Sequence, residues 1–140
     1  ANMSDIKNIF DISGRAMASQ LVRLNTVASN LANAGTVSTT EEEAFRSLKP
    51  VFAAKFADSF ENNGVSTVDV VGIERVNRDP VRAFMPNHPS ADEDGYVYRA
   101  AVDENEEMIE MVEASRQYQN NVEVISTLRA LMMRTISMGK

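Results

Sequence analysis

Histidine is the side chain best suited to move protons near neutral pH, and this chain has one, His88, set between Asn87 and Pro89. A general base or metal ligand there would need a second imidazole or a thiol, and the chain has neither. His88 therefore reads as a turn-packing residue in a proline-rich loop. The run Asp92-Glu93-Asp94-Gly95 looks superficially like a calcium loop. With Asp92 as first ligand, the glycine needed at the sixth position falls on Val97 and the twelfth position is Asp103, so the EF-hand spacing fails. Glu106 with Glu110, and Glu110 with Glu113, share a helix face. They lie on the hydrated side of an amphipathic stretch, with no sign of the cleft a glycosidase requires. No GxxxxGK[ST], GxGxxG or GxSxG occurs. The residues point to no catalytic site, no metal and no cofactor.

What the spacing does carry is contact. From residue 103 to 140 the apolar residues fall at Met108, Met111, Tyr118, Val122, Ile125, Leu128 and Met132, with Ser115 filling one place. Steps of three and four make this the narrow seam of a coiled coil rather than a broad globular face. Asp103 followed by Glu106 predicts a capping box at its start. Glu104, Glu107, Glu110 and Glu113 crowd the first half and Arg129, Arg134 and Lys140 the second, as the helix dipole favours. Met108, Met111, Met132, Met133 and Met138 make the helix methionine-rich, which suits an adaptable contact surface as well as ordinary packing. Such a helix would run on the order of 50 Å at about 1.5 Å per residue, too long to be buried within its own small domain.

A second helix is predicted over residues 4–33, with Met17, Leu21, Leu24, Ala28 and Leu31 spaced four, three, four, three. Ile6 and Phe10 extend the stripe backward, Gly14 weakens it locally by about 1 kcal/mol, and Asn33 and Gly35 stop it. Ala16, Ala18, Ser19, Ala28, Ser29 and Ala32 would let another backbone approach closely.

Between the helices, residues 36–40 read as a polar connector, and Glu41-Glu42-Glu43 as a solvated run. Residues 45–60, with Pro50 inside, suggest a strand or extended stretch, followed by an Asn62-Asn63-Gly64 turn. Residues 65–76 are the best strand candidate, with Val68, Val70, Val71, Ile73 and Val76. Short strands are predicted at 81–85 and 96–99, on either side of a proline-rich acidic loop. The expected fold is α+β and mainly α. The helices at 4–35 and 103–140 form one discontinuous antiparallel, coiled-coil-like unit, and 36–102 is a small β-rich insertion.

Bulk properties narrow the partners. A net charge of -6 argues against nucleic acid, and no run of eighteen apolar residues exists to span a membrane. Asn8, Asp11, Ser13 and Arg15 interrupt any apolar h-region near the N-terminus, so no cleavable signal peptide is expected. An aromatic fraction of 6% with no tryptophan leaves little bulk for a large core.

The two helices also carry a resemblance. ISGRAMASQLVRLNTVASNLANAGT at residues 12–36 resembles the N-terminal signature of the bacterial flagellar rod and hook proteins, above all in Ser13-Gly14, Leu24-Asn25 and the ASNLANA run at 28–34. ASRQYQNNVEVISTLRALMMRTISMGK at 114–140 is similar to the matching C-terminal end. NVEVISTLRALMMRT most resembles the proximal-rod branch of the flagellar basal-body rod family, and NGVSTVDVVGI and PNHPSADEDGYV agree in outline. Two departures stand out: Ala100-Ala101 occupies the place of a Pro-Asn pair, and Phe45-Arg46 that of a common Tyr-Arg. The resemblance implies a structural subunit exported by the flagellar type III apparatus and polymerising helically in the periplasm around a central channel. Its partners would be copies of itself and other rod proteins, and its assembly interface the two stripes named above. The alternative is a soluble helical adaptor or export chaperone that offers its methionine-rich helix to one partner.

Overall fold

A computed structural model describes residues 3–56 and 66–139. Helix α1 spans Met3–Asn33 and α2 spans Glu104–Met138. Among the described residues, the strands between them are β1 (Val37–Ser38), β2 (Leu48–Phe56), β3 (Ser66–Arg75), β4 (Val81–Phe84) and β5 (Tyr96–Arg99). The chain is thus mainly helical with a small strand-bearing middle. The Asn62-Asn63-Gly64 turn lies outside the described residues.

The strands form two antiparallel sheets. One is the hairpin of β2 and β3, and the other runs β1-β5-β4. The hairpin changes register between Val51 and Phe52, one residue after Pro50. Proline is tolerated because each strand of a two-stranded ribbon is an edge that needs only half its ladder bonds. β1 forms inside the stretch that sequence reads as a connector, since Val37 and Ser38 find partners in Arg99 and Tyr98. Those partners lie some sixty residues on, beyond the reach of local pattern reading.

The segment around Phe45 to Ser47 ties the two sheets to the start of α2. Ala101 N–H donates to the Phe45 carbonyl at 2.7 Å, Ser47 N–H to the Ala101 carbonyl at 3.2 Å, and Val76 N–H to the Ser47 carbonyl at 2.7 Å. Ala100 N–H donates to the Thr36 carbonyl at 3.0 Å. A proline at that place could not make this bond, so the first departure from the family pattern has a definite local consequence.

Asp103 caps α2 from an extended conformation, its carboxylate accepting from the N–H groups of Asn105 and Glu106 at 3.0 and 3.2 Å. The reciprocal half of the expected capping box is replaced by another contact. Glu106 accepts from the Arg78 guanidinium at 2.9 Å, a charge-assisted bond that outcompetes a single backbone donor.

Few apolar residues are buried. Among those described they are Val27, Ala44, Val97, Ala101 and Ala114. Beside them sit buried polar side chains, namely Ser13, Ser19, Thr26, Asn30, Ser47 and Glu107. A core this slight leaves most of the large apolar residues of α2 at the surface.

Candidate assembly interface

The end of α1 meets the start of α2, and the two helices run back along each other in opposite directions. Arg23 fixes their register. Its guanidinium donates to Glu110 at 2.5 and 2.8 Å, to Glu113 at 3.1 Å and to Gln117 at 3.4 Å, gathering acceptors from successive turns of α2. The side chain is largely shielded, so these bonds are screened less than an ordinary surface pair.

A different face of α1 holds the hairpin, and it does so with polar groups. Asn30, almost completely buried, accepts from Leu48 N–H and donates to the Leu48 carbonyl, both at 2.9 Å. Three turns earlier Ser19 Oγ donates to the Val68 carbonyl at 3.0 Å, and Arg15 pairs with Asp69 at 3.6 Å. Small hydroxyl and amide side chains on α1 let the hairpin backbone approach and give it partners at the same time. These residues escape a search for apolar stripes. The steps of seven and four between Ser19, Thr26 and Asn30, which set them on one face of a helix, are the sequence signal that could have found them.

On α2, the residues turned toward α1 and its surroundings are Glu107, Met111, Ala114, Tyr118, Asn121, Ile125, Leu128 and Met132, all buried or half-buried. Their steps of four and three repeat without a break, and Ser115 beside them is half-buried too. Of the other residues that sequence singles out, Met17, Leu24 and Leu31 are half-buried, whereas Ala28 is exposed. Leu21 is 44% exposed, Met108 59% and Val122 38%. Glu107, Ala114 and Asn121, seven apart, thus take inward places on α2 in preference to the nearest large apolar residue, and Leu128 continues the series. Ala114 has no exposed surface at all.

The exposed large apolar residues of α2 are Met108, Ile109, Val112, Val122, Val124, Leu131, Met133, Ile136 and Met138.

Elsewhere the side chains brace turns. His88 Nδ1 accepts from Ser90 N–H at 3.0 Å, and Asp92 Oδ1 accepts from Asp94 and Tyr96 N–H at 3.0 and 2.8 Å. Gly95 closes the acidic loop with φ of 84°, and a Cβ there would stand 2.9 Å from a Phe84 ring carbon. No group of His, Cys, Asp and Glu among the described residues could hold a metal ion. The hydrogen bond and charge of Glu106, with smaller contributions from Asp103 and Glu107, push the Arg78 pKa up. Among the described residues no helix is long and apolar enough to cross a membrane.

Comparison with known proteins gives these surfaces a setting. Residues 10–37 match the family model described as flagella basal body rod protein, and residues 93–138 match that of the flagellar basal body rod FlgEFG protein C-terminal. The chain is 38% identical over 133 residues to the flagellar basal-body rod protein FlgC of Escherichia coli O6:H1, covering 95% of this chain and 97% of the relative. FlgC of Salmonella typhimurium is similar to the same extent, 38% over 133 residues with 95% and 97% covered. That of Aquifex aeolicus is 36% identical over 138 residues, covering 99% of this chain and all of the relative. On these grounds the chain belongs to the FlgC flagellar basal-body rod protein family, whose members are structural and not enzymes.

Proposed function

We propose that this chain is a subunit of the proximal rod, exported by the flagellar type III apparatus and polymerised helically in the periplasm around a central channel. In this reading α1 and α2 (residues 4–35 and 103–140) act as one discontinuous helical unit that packs against copies of the chain and other rod proteins. The middle, 36–102, lies outside and locks neighbours together. Torque would pass through many shallow helix contacts, each tightly packed and individually weak.

The observation that supports the reading is the number of large apolar residues that α2 leaves exposed between Met108 and Met138, beside a buried apolar set that is small among the described residues. Helices that keep so much apolar area in water bury it on association, at roughly 25 cal/mol for each Å² removed from water. Val122→Asp tests this. The residue is already partly in solvent, so the isolated chain should remain folded and soluble, while a charge without a partner should exclude it from the packed rod. Cells relying on this variant should lose motility, and their purified basal bodies should lack the chain. Normal swimming with Val122→Asp in the rod would refute the assignment of this surface.

A further inference from the structure

Five of the eight methionines lie on α2, and the packing of that helix sorts them into two kinds. Met111 and Met132 are half-buried on the side turned toward α1. Met108 and Met133, each a near neighbour of one of these, are 59% and 63% exposed, and Met138 in the closing turn is 86% exposed. Met108 and Met133 stand about seven whole turns apart, so they share one side of the helix. Val122, about four turns from Met108, lies close to the same side. A thioether in water is open to two-electron oxidation, whereas one packed between helices is shielded from it. The fold therefore sets an order of reactivity on α2, with Met138, Met133 and Met108 ahead of Met111 and Met132.

We propose that Met108, Met133 and Met138 are a peroxide-sensitive modification site whose sulfoxidation keeps the folded chain out of the rod. In the reaction the thioether sulfur attacks one peroxide oxygen, so an S–O bond forms as the O–O bond breaks. The sulfur loses two electrons and the peroxide is reduced to water. A thiol-dependent sulfoxide reductase reverses the change, oxidising two thiols to a disulfide and releasing water. The structure separates two consequences. An oxygen added to the outward sulfurs meets solvent in the free chain and leaves the side turned toward α1 untouched, so the fold survives. In a packed subunit contact the same oxygen is a polar acceptor without a donor. Oxidation of Met111 or Met132 would instead place that oxygen between the helices and loosen the molecule itself. This inference rests on the rod-subunit reading and specifies how one of its contacts is switched.

The isolated chain, treated with graded hydrogen peroxide, should gain sulfoxide at Met108, Met133 and Met138 roughly fivefold or more faster than at Met111 and Met132, read by fragmentation mass spectrometry. Its circular dichroism should not change until the second group reacts. In cells whose only copy is the unsubstituted chain, peroxide supplied during rod growth should lower its content in purified basal bodies roughly fivefold or more. Met108→Leu with Met133→Leu and Met138→Leu should abolish that loss, since leucine stays apolar and helix-forming without the sulfur. Met132→Leu, beside Met133, should not. Should the triple variant fail to assemble untreated, Met133→Gln against Met133→Leu decides, with a roughly tenfold smaller content expected for glutamine and equal contents overturning the proposal. Three other results overturn it: first oxidation at Met111 or Met132, unfolding as the outward three react, and a peroxide response that is absent or is the same in the unsubstituted and triple-leucine chains. If the untreated, unsubstituted chain is itself absent from basal bodies, it is the rod-subunit reading that falls, while the order of oxidation is still read on the isolated chain.

Discussion

Asn30 shows how much one polar side chain can decide. It satisfies both backbone groups of Leu48 from a position with almost no solvent access, so nothing replaces it when it is removed. Asn30→Ala should cost about 2–3 kcal/mol, read as a lower urea midpoint for the isolated chain, since two shielded backbone groups lose their partners. The same variant should loosen the hairpin root before the helices melt, visible as faster amide exchange at Leu48 and its partner Arg75. Arg23 is the parallel case on the other side of α1: it selects one register of α2 out of several that the apolar pattern would allow.

At the scale of elements, α2 illustrates the difference between a cap and a box. Asp103 meets two N–H groups of the first turn, and Glu106 leaves the cap to join Arg78 in the loop that connects the two sheets. Asp103→Ala should therefore destabilise the chain by about 1 kcal/mol in a denaturant melt, the usual loss of a single-sided cap. The hairpin is the second instructive element. It is a two-stranded ribbon, marginal alone, that stands because α1 supplies Ser19 and Asn30 as fixed points along its length.

Taken whole, the molecule is poorly covered. Its buried apolar set is a short list of small residues, while the end of α2 projects Met133, Ile136 and Met138 into solvent. Amides in the closing turns of α2 should exchange fast in the isolated chain and become protected in assembled rods, because only neighbouring subunits can shield them. Hydrogen exchange with mass readout on both states measures this. Equal protection in the free chain would mean that the helix end is already covered by its own molecule. Arg78 adds no pH dependence near neutrality. A raised arginine pKa contributes stability that is complete below its ordinary range and is lost only at extreme alkalinity.

The sequence by itself determined the two long helices, their ends to within a residue or two, and the strands at 66–75, 81–84 and 96–99. It could do so because these depend on local spacing, caps and turn residues that lie within reach of one another along the chain. It also carried the family, through motifs in both helices. On α2 the periodic stripe and the inward face share Met111, Tyr118, Ile125, Leu128 and Met132, and only the tertiary structure decided that Met108 and Val122 stand outside it. Apolar residues on that helix outnumber what α1 can cover, so periodicity selects the richest stripe, with Met108 and Val122. Packing instead brings inward Glu107, Ala114 and Asn121, which are small or polar and escape an apolar count. The partners of Asn30, Ser19 and Glu106 were equally beyond the sequence, since a polar side chain does not announce which distant backbone or charge will satisfy it.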